Sequence, residues 1–129
     1  MILLDTHALI WLRADPIKLS ARATEAIRAA RVSGGLAISA ITLWELAWLA
    51  AHARVSFTGT IDTFVERMAA SIAIRPITAK IAVLANELPS TYPGDPSDRL
   101  IGATALYEGY ALITKDRSIR NFQKIKTIW

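Results

Sequence analysis

Short, wholly apolar runs take turns with amphipathic stretches from one end of the chain to the other. Ile2-Leu3-Leu4 is broken by the polar triplet Asp5-Thr6-His7, as expected of a strand buried on both faces that leaves a parallel sheet at Asp5. A short helix over Ala8 to Arg13 stops at Asp15-Pro16. Ser20 then caps a second helix over Ala21 to Arg31, with Ala23, Ile27 and Ala30 turned inward. Beyond Gly34-Gly35, Leu36 to Ser39 reads as the second strand, and Thr42-Leu-Trp-Glu45 as the capping box of a helix reaching Ala53.

The same alternation continues. Thr60 caps an amphipathic helix through Ile72, with Ile61, Phe64, Val65 and Met68 on one face. Ile74 to Ile77 is a short strand, on an edge if Pro76 lies within it, and Thr78 caps a helix reaching Glu87. Leu88 to Asp95 is a loop. Asp95-Pro96 opens the next helix, with Asp as N-cap and Pro at the first helical position, and Gly109 closes it. Ala111 to Thr114 is a strand, Arg117 to Phe122 a turn or short helix, and Ile125 to Trp129 a last strand. Strands alternating with helices imply an α/β fold with a mainly parallel sheet and right-handed crossovers. The 129 residues suit one domain, with no repeat, linker or low-complexity tract.

Composition narrows the function classes. With no cysteine, neither a disulfide framework nor a thiolate metal site exists, so the cytoplasm is the expected compartment. The N-terminus meets an acid too soon for a signal peptide. The longest apolar stretch, Leu36 to Ala51, carries Glu45 and is too short for a membrane span. A mean hydropathy of +0.32 suggests apolar surface covered by a partner. Fifteen Lys and Arg against eleven Asp and Glu leave a net charge of +4, which fits a polyanionic partner. The surplus is local: Lys115, Arg117, Arg120, Lys124 and Lys126 surround the single acid Asp116.

Placed on this frame, four acids fall together. Asp5 ends the first strand and Asp116 follows the Ala111 strand, so both sit at carboxyl edges. Glu45 lies in the first turn of the helix after the second strand, which also begins at that edge. Asp98 joins them if the Leu88–Asp95 loop follows a strand. Each acid also has a local explanation: helix cap for Asp5, capping box for Glu45, macrodipole for Asp98 and turn residue for Asp116. Those explanations do not account for all four falling at one end of one sheet.

Such a cluster has an electrostatic requirement. Two carboxylates about 4 Å apart repel by about 4 kcal/mol at an effective dielectric of 20, so several cannot all stay ionised unaided. A divalent cation removes the conflict, and an all-oxygen donor set selects Mg²⁺ or Mn²⁺. Phosphodiester hydrolysis is the natural chemistry of that arrangement.

The segments Leu-Leu-Asp5-Thr-His, Ser39-Ala-Ile-Thr-Leu-Trp-Glu45, Asp95-Pro-Ser-Asp98-Arg-Leu-Ile and Leu112-Ile-Thr-Lys-Asp116 resemble, in order, the four blocks of the PIN-domain nucleases, most nearly the VapC-type toxins of bacterial toxin–antitoxin pairs. The resemblance covers essentially the whole chain and implies a three-layer α/β/α fold and a ribonuclease. It also implies a homodimer and an inhibiting VapB-type antitoxin. Carried over residue by residue, the family's catalytic acids fall on Asp5, Glu45, Asp98 and Asp116, with Asp5, Asp98 and Asp116 expected on the metal. Thr6 and Thr114 fall on supporting polar positions. Of the two acids in Asp-Pro-Ser-Asp, Asp98 is expected to face the site because Asp95 is the better N-cap.

Several further residues carry two readings. Arg99, Lys115, Arg117 and Arg120 suit RNA phosphates or an ordinary solvated face. His7 is expected to support its neighbours rather than ligate, and His52 to lie on the surface. Trp44 and Trp48, one helical turn apart, are by default core, and otherwise part of a groove with the Ala8–Arg13 helix that accepts an antitoxin segment. Two rival classes remain: a Mg²⁺-binding response-regulator receiver, which wants adjacent acids after its first strand, and a non-catalytic interaction module.

Overall fold

The computed structural model describes residues 1–129. Five parallel strands form one sheet in the order β3-β2-β1-β4-β5: β1 (Ile2–Leu4), β2 (Leu36–Ser39), β3 (Ala73–Arg75), β4 (Ala111–Ile113) and β5 (Thr127–Ile128). The helices are α1 (Thr6–Ala14), α2 (Ala21–Val32), α3 (Ala40–Ala51), α4 (Ile61–Ala69), α5 (Ala79–Glu87), α6 (Pro96–Glu108) and α7 (Arg117–Arg120), with a short 3₁₀ turn at Pro16–Lys18.

The pleat of the strands divides the core in two. Leu4, Leu36, Ile38 and Ile113 point to one face and pack with Ala8, Leu9, Ile27, Leu46, Phe64 and Met68 from α1 to α4. Leu3, Ala37 and Leu112, the alternate positions, point to the other and meet Tyr92, Ile101, Ala105 and Ile119. Both faces are thus covered, which is why β1 and β4 are wholly apolar and β2 is apolar up to Ser39, and the architecture is the expected three-layer α/β/α sandwich.

Capping sets most helix starts. Ser20, Thr60 and Thr78 each accept a hydrogen bond from the backbone N–H three residues on, and Asp95 accepts from Ser97 and Asp98, all as the side-chain chemistry predicts. Gly109 closes α6 in the left-handed conformation at φ 70°, allowing the chain to turn directly into β4.

Four sequence expectations are corrected, the first being the third strand, which spans Ala73–Arg75 and leaves Pro76 and Ile77 outside it. The helix expected to begin at Thr42 begins at Ala40, because Ser39 rather than Thr42 accepts the cap bond, from Ile41 N. Thr42 is therefore a buried residue inside α3, and Glu45 lies in its second turn instead of closing a capping box. The helix expected to reach Ile72 ends at Ala69, and Ser71 then takes φ 62°. Trp44 and Trp48 are not core: they stand 58% and 38% exposed on α3, with Trp48 stacked on His52 at 4.1 Å between ring centroids.

The strand order places a switch point beside β1. The chain moves outward through β2 and β3, then returns across the sheet to lay β4 on the other side of β1. Neighbouring connections diverge there, opening a crevice at the carboxyl edge, the usual ligand site in open parallel sheets.

Candidate active site

The crevice is a cavity of about 410 Å³ lined by Asp5, His7, Trp11, Glu45, Asp95, Asp98, Lys115 and Asp116. All four acids predicted from the sequence reach it, from four different parts of the chain. A fifth carboxylate, Asp95, is present as well, although its Oδ1 also accepts from Ser97 N at 2.8 Å to cap α6.

Asp5 sits at the centre of the sheet edge. Its backbone N–H donates to Ile113 O at 3.0 Å, extending the β1–β4 ladder by one residue and locking the position of its Cα. The side chain makes no capping bond to α1, so the helix-cap explanation does not account for it. Thr114 Oγ1 instead donates to Asp5 Oδ2 at 2.7 Å. The carboxylate is 7% exposed, and burial pushes its pKa up while the Thr114 bond opposes the rise.

Glu45 enters from α3. Thr6 Oγ1 donates to its Oε1 at 2.6 Å. With that proton committed, the 2.9 Å contact between Thr6 and Thr42 hydroxyls leaves Thr42 as donor. A buried threonine pair therefore aims the carboxylate into the cavity. Burial raises its pKa first, countered by the Thr6 bond, with Asp5 and Asp95 adding repulsion.

Asp98 reaches the site by a route the sequence reading did not anticipate. The Leu88–Asp95 loop follows helix α5, not a strand, yet α6 still starts at the carboxyl edge. A helix that feeds a parallel strand must run back from that edge to the other, whatever precedes it. Asp98 is pushed up to about 7 from an ordinary 3.8, chiefly by burial and then by the charges of Asp5, Asp95, Asp116 and Glu45.

Asp116 is both a site residue and a cap: its Oδ1 accepts from Ile119 N at 3.1 Å to start α7. Thr114 helps hold it, accepting from Asp116 N at 3.1 Å. One hydroxyl thus ties the first acid of the cluster to the last. His7 is exposed at the rim, its ring tilted against Trp11 at 5.9 Å, and Lys115 Nζ lies 5.7 Å from the Trp11 ring centre.

Arg99, next to Asp98 in sequence, does not line this cavity. Its guanidinium donates to the carbonyls of Ala85, Leu88, Pro89 and Tyr92 at 2.8–3.4 Å, fastening the loop before α6. Arg117 and Arg120 line a separate cavity near β5, and of the four predicted cations only Lys115 faces the acids.

The donor set suits a hard divalent cation: five carboxylates line one cavity, and Asp5, Glu45 and Asp98 are desolvated there and repelled by neighbouring acids. No three of these side chains are drawn tightly enough together to make a finished coordination shell, so water would complete the coordination of any ion held here.

Comparison with known proteins agrees with this geometry. A family model described as PIN domain matches residues 2–125. The chain is 40% identical to Ribonuclease VapC22 of Mycobacterium tuberculosis (strain ATCC 25618 / H37Rv), over 99% of this chain and 98% of that protein. Among solved structures it resembles VapBC2 from Rickettsia felis bound to a promoter DNA fragment, with a TM-score of 0.75 at 17% identity, covering 98% of this chain and 97% of that one. It also resembles FitAcB from Neisseria gonorrhoeae, with a TM-score of 0.69 at 22% identity, covering 98% and 96%. At those identities the structural likeness speaks for the fold.

Proposed function

The chain belongs to the PIN domain family, and from that premise we propose that it is a metal-dependent endoribonuclease, the toxin of a VapBC-type toxin–antitoxin pair. The observation that carries this reading is the convergence of Asp5, Glu45, Asp98 and Asp116 on one cavity at the switch point of the sheet. The 40% identity to a ribonuclease along nearly the whole chain supports RNA as the substrate. The receiver alternative has no adjacent acids after β1 to support it.

Asp5 and Asp98 are the residues that would hold Mg²⁺ or Mn²⁺, with Asp116 completing the shell directly or through water. When bound, the cation stabilises charge on a phosphoryl oxygen and acidifies water. Glu45, aimed by Thr6, orients the attacking water and takes its proton at a carboxylate oxygen. That carboxylate is suited to the task because burial raises its basicity. Asp5 is held rigidly by the ladder and by Thr114, which keeps the donors at fixed separation through the in-line displacement. Lys115, at the rim, offers a cation to a phosphate entering beside Trp11.

A cognate antitoxin and a second copy of the chain are the proposed partners, and the cytoplasm the proposed location. No helix is long and apolar enough to cross a membrane. The exposed Trp44 and Trp48 on α3 supply an apolar face for a partner segment. Cleavage of a labelled RNA with Mn²⁺ or Mg²⁺, and its loss on adding EDTA, is the primary test. Asp5→Asn and Asp98→Asn are each expected to reduce the rate at least about 100-fold, the scale of losing a charged transition-state support. Metal-dependent cleavage retained by both variants would overturn the assignment.

A further inference from the structure

A second cavity, of about 580 Å³, is lined by Arg22 of α2, Arg117, Arg120 and Asn121 at α7, and Thr127 and Trp129 at β5. No acid lines it. The ion pairs of the molecule involve Lys18, Arg28 and Arg75, while Arg13, Arg67 and Arg99 are spent on backbone carbonyls. Arg22, Arg117 and Arg120 take part in none of these interactions. Three unpaired guanidiniums facing one hollow repel each other, and an anion there relieves that repulsion.

The two cavities share a wall. Consecutive residues face them, Asp116 the acidic one and Arg117 the basic one. Trp11, which lines the acidic cavity, packs against Trp129, which lines the basic one, with ring centres 5.7 Å apart and planes tilted by 54°. A polyanion entering the acidic cavity meets five carboxylates, so it needs cations close by to stay bound. The arrangement of guanidiniums beside an aromatic step matches a single strand, whose phosphates pair with arginine and whose unstacked bases lie against tryptophan.

We propose that the Arg22–Arg117–Arg120 cavity is a binding site for the RNA strand flanking the cleaved bond, holding a neighbouring phosphate while a base rests on the Trp11–Trp129 step. This rests on the nuclease reading above but is tested separately from it. An acidic peptide is the competing occupant. Its carboxylates also suit arginine, but it leaves the tryptophan step without a planar partner.

The test is fluorescence anisotropy of a fluorescein-labelled 12-nucleotide single-stranded RNA, in EDTA so that the strand stays intact, over a series of salt concentrations. Each single-strand phosphate contact contributes about 0.7 to the slope of log affinity against log salt. Arg22→Gln with Arg120→Gln is therefore expected to reduce the slope by about 1.4 and to weaken low-salt binding at least about 10-fold. Arg31→Gln with Arg54→Gln, also exposed and unpaired but outside the cavity, is expected to behave as wild type. Circular dichroism melts confirm that both variants fold. Equal behaviour of the two double variants overturns the proposal. So does a 12-residue polyglutamate that binds wild type as tightly as the RNA and depends equally on Arg22 and Arg120. Arginine-dependent binding without any metal-dependent cleavage overturns the nuclease reading alone, and cleavage with binding indifferent to these arginines overturns this inference alone.

Discussion

Thr114 and Asp5, 109 residues apart in the chain, meet in the buried edge of the sheet, where the threonine hydroxyl donates to the carboxylate at 2.7 Å. Thr114→Val keeps the volume and removes the donor. A carboxylate already raised by burial then loses the bond that favours its charged form, so its pKa rises further. Stability near neutral pH is expected to fall by about 1–3 kcal/mol. The acid limb of the cleavage-rate profile is expected to move to higher pH, because Asp5 must be ionised to hold a cation. An unchanged profile with unchanged stability would show the bond to be idle.

Burial of the acids, and then their crowding, makes stability pH-dependent. Asp98 titrates at about 7 in the folded chain against 3.8 ordinarily, so the folded state binds this proton more tightly than the unfolded state. That contribution to stability is fully present below 3.8 and is lost as pH rises to about 7. Asp5 and Glu45 shift in the same direction. The Tm in EDTA is expected to drop between pH 5 and pH 7.5, and Mn²⁺ to raise it far more at pH 7.5 than at pH 5. Asp98→Asn should flatten the pH dependence and raise the metal-free Tm at pH 7.5. Differential scanning fluorimetry measures all three.

Arg99→Lys separates a structural arginine from a phosphate-binding one. A lysine ammonium cannot span four carbonyls arranged around a planar fork, and hydrogen bonds from a charged donor contribute about 1.5–3 kcal/mol each. Chemical denaturation is expected to show a loss of at least about 2 kcal/mol, and limited proteolysis to cut within Leu88–Asp95. The salt slope of RNA binding should stay as in wild type. A changed slope with intact stability would restore Arg99 as an RNA contact.

Gly102 is required by Tyr92. A Cβ at position 102 would meet the Tyr92 hydroxyl and lie 2.7 Å from its Cζ. The ring is only 2% exposed, and is wedged edge-on against Phe122 at 5.5 Å. Although alanine favours a helix by about 1 kcal/mol over glycine, Gly102→Ala is expected to cost about 1–3 kcal/mol through overpacking. The Tyr92 hydroxyl also donates to Asp98 O at 3.0 Å, so the substitution should lower activity as well. In a Tyr92→Leu background the same change should become neutral or stabilising, as a double-mutant cycle of melts would reveal.

Amino-acid order alone determined the helix starts at Ser20, Thr60, Thr78 and Asp95, the existence and chain order of all five strands, and the carboxyl-edge position of Asp5, Glu45 and Asp116, whereas Asp98 owes its place to α6 feeding β4 and not to the loop before it. Capping acts within about three residues and strand patterning within four or five, so each signal is complete inside a short window. Parallel pairing then puts every strand's exit at one edge without further information. What lies across the chain was decided only by the folded structure: the Thr6 bond that aims Glu45 into the cavity, and the Arg99 fork that closes on a loop instead of a phosphate. The exposure of Trp44 and Trp48 and the separation of Arg117 and Arg120 from the acids into a second cavity belong to the same class. These outcomes depend on which elements the order β3-β2-β1-β4-β5 brings side by side. A residue's local neighbours do not reveal that, because the partner that satisfies a buried hydroxyl, guanidinium or carboxylate is supplied by packing between distant segments.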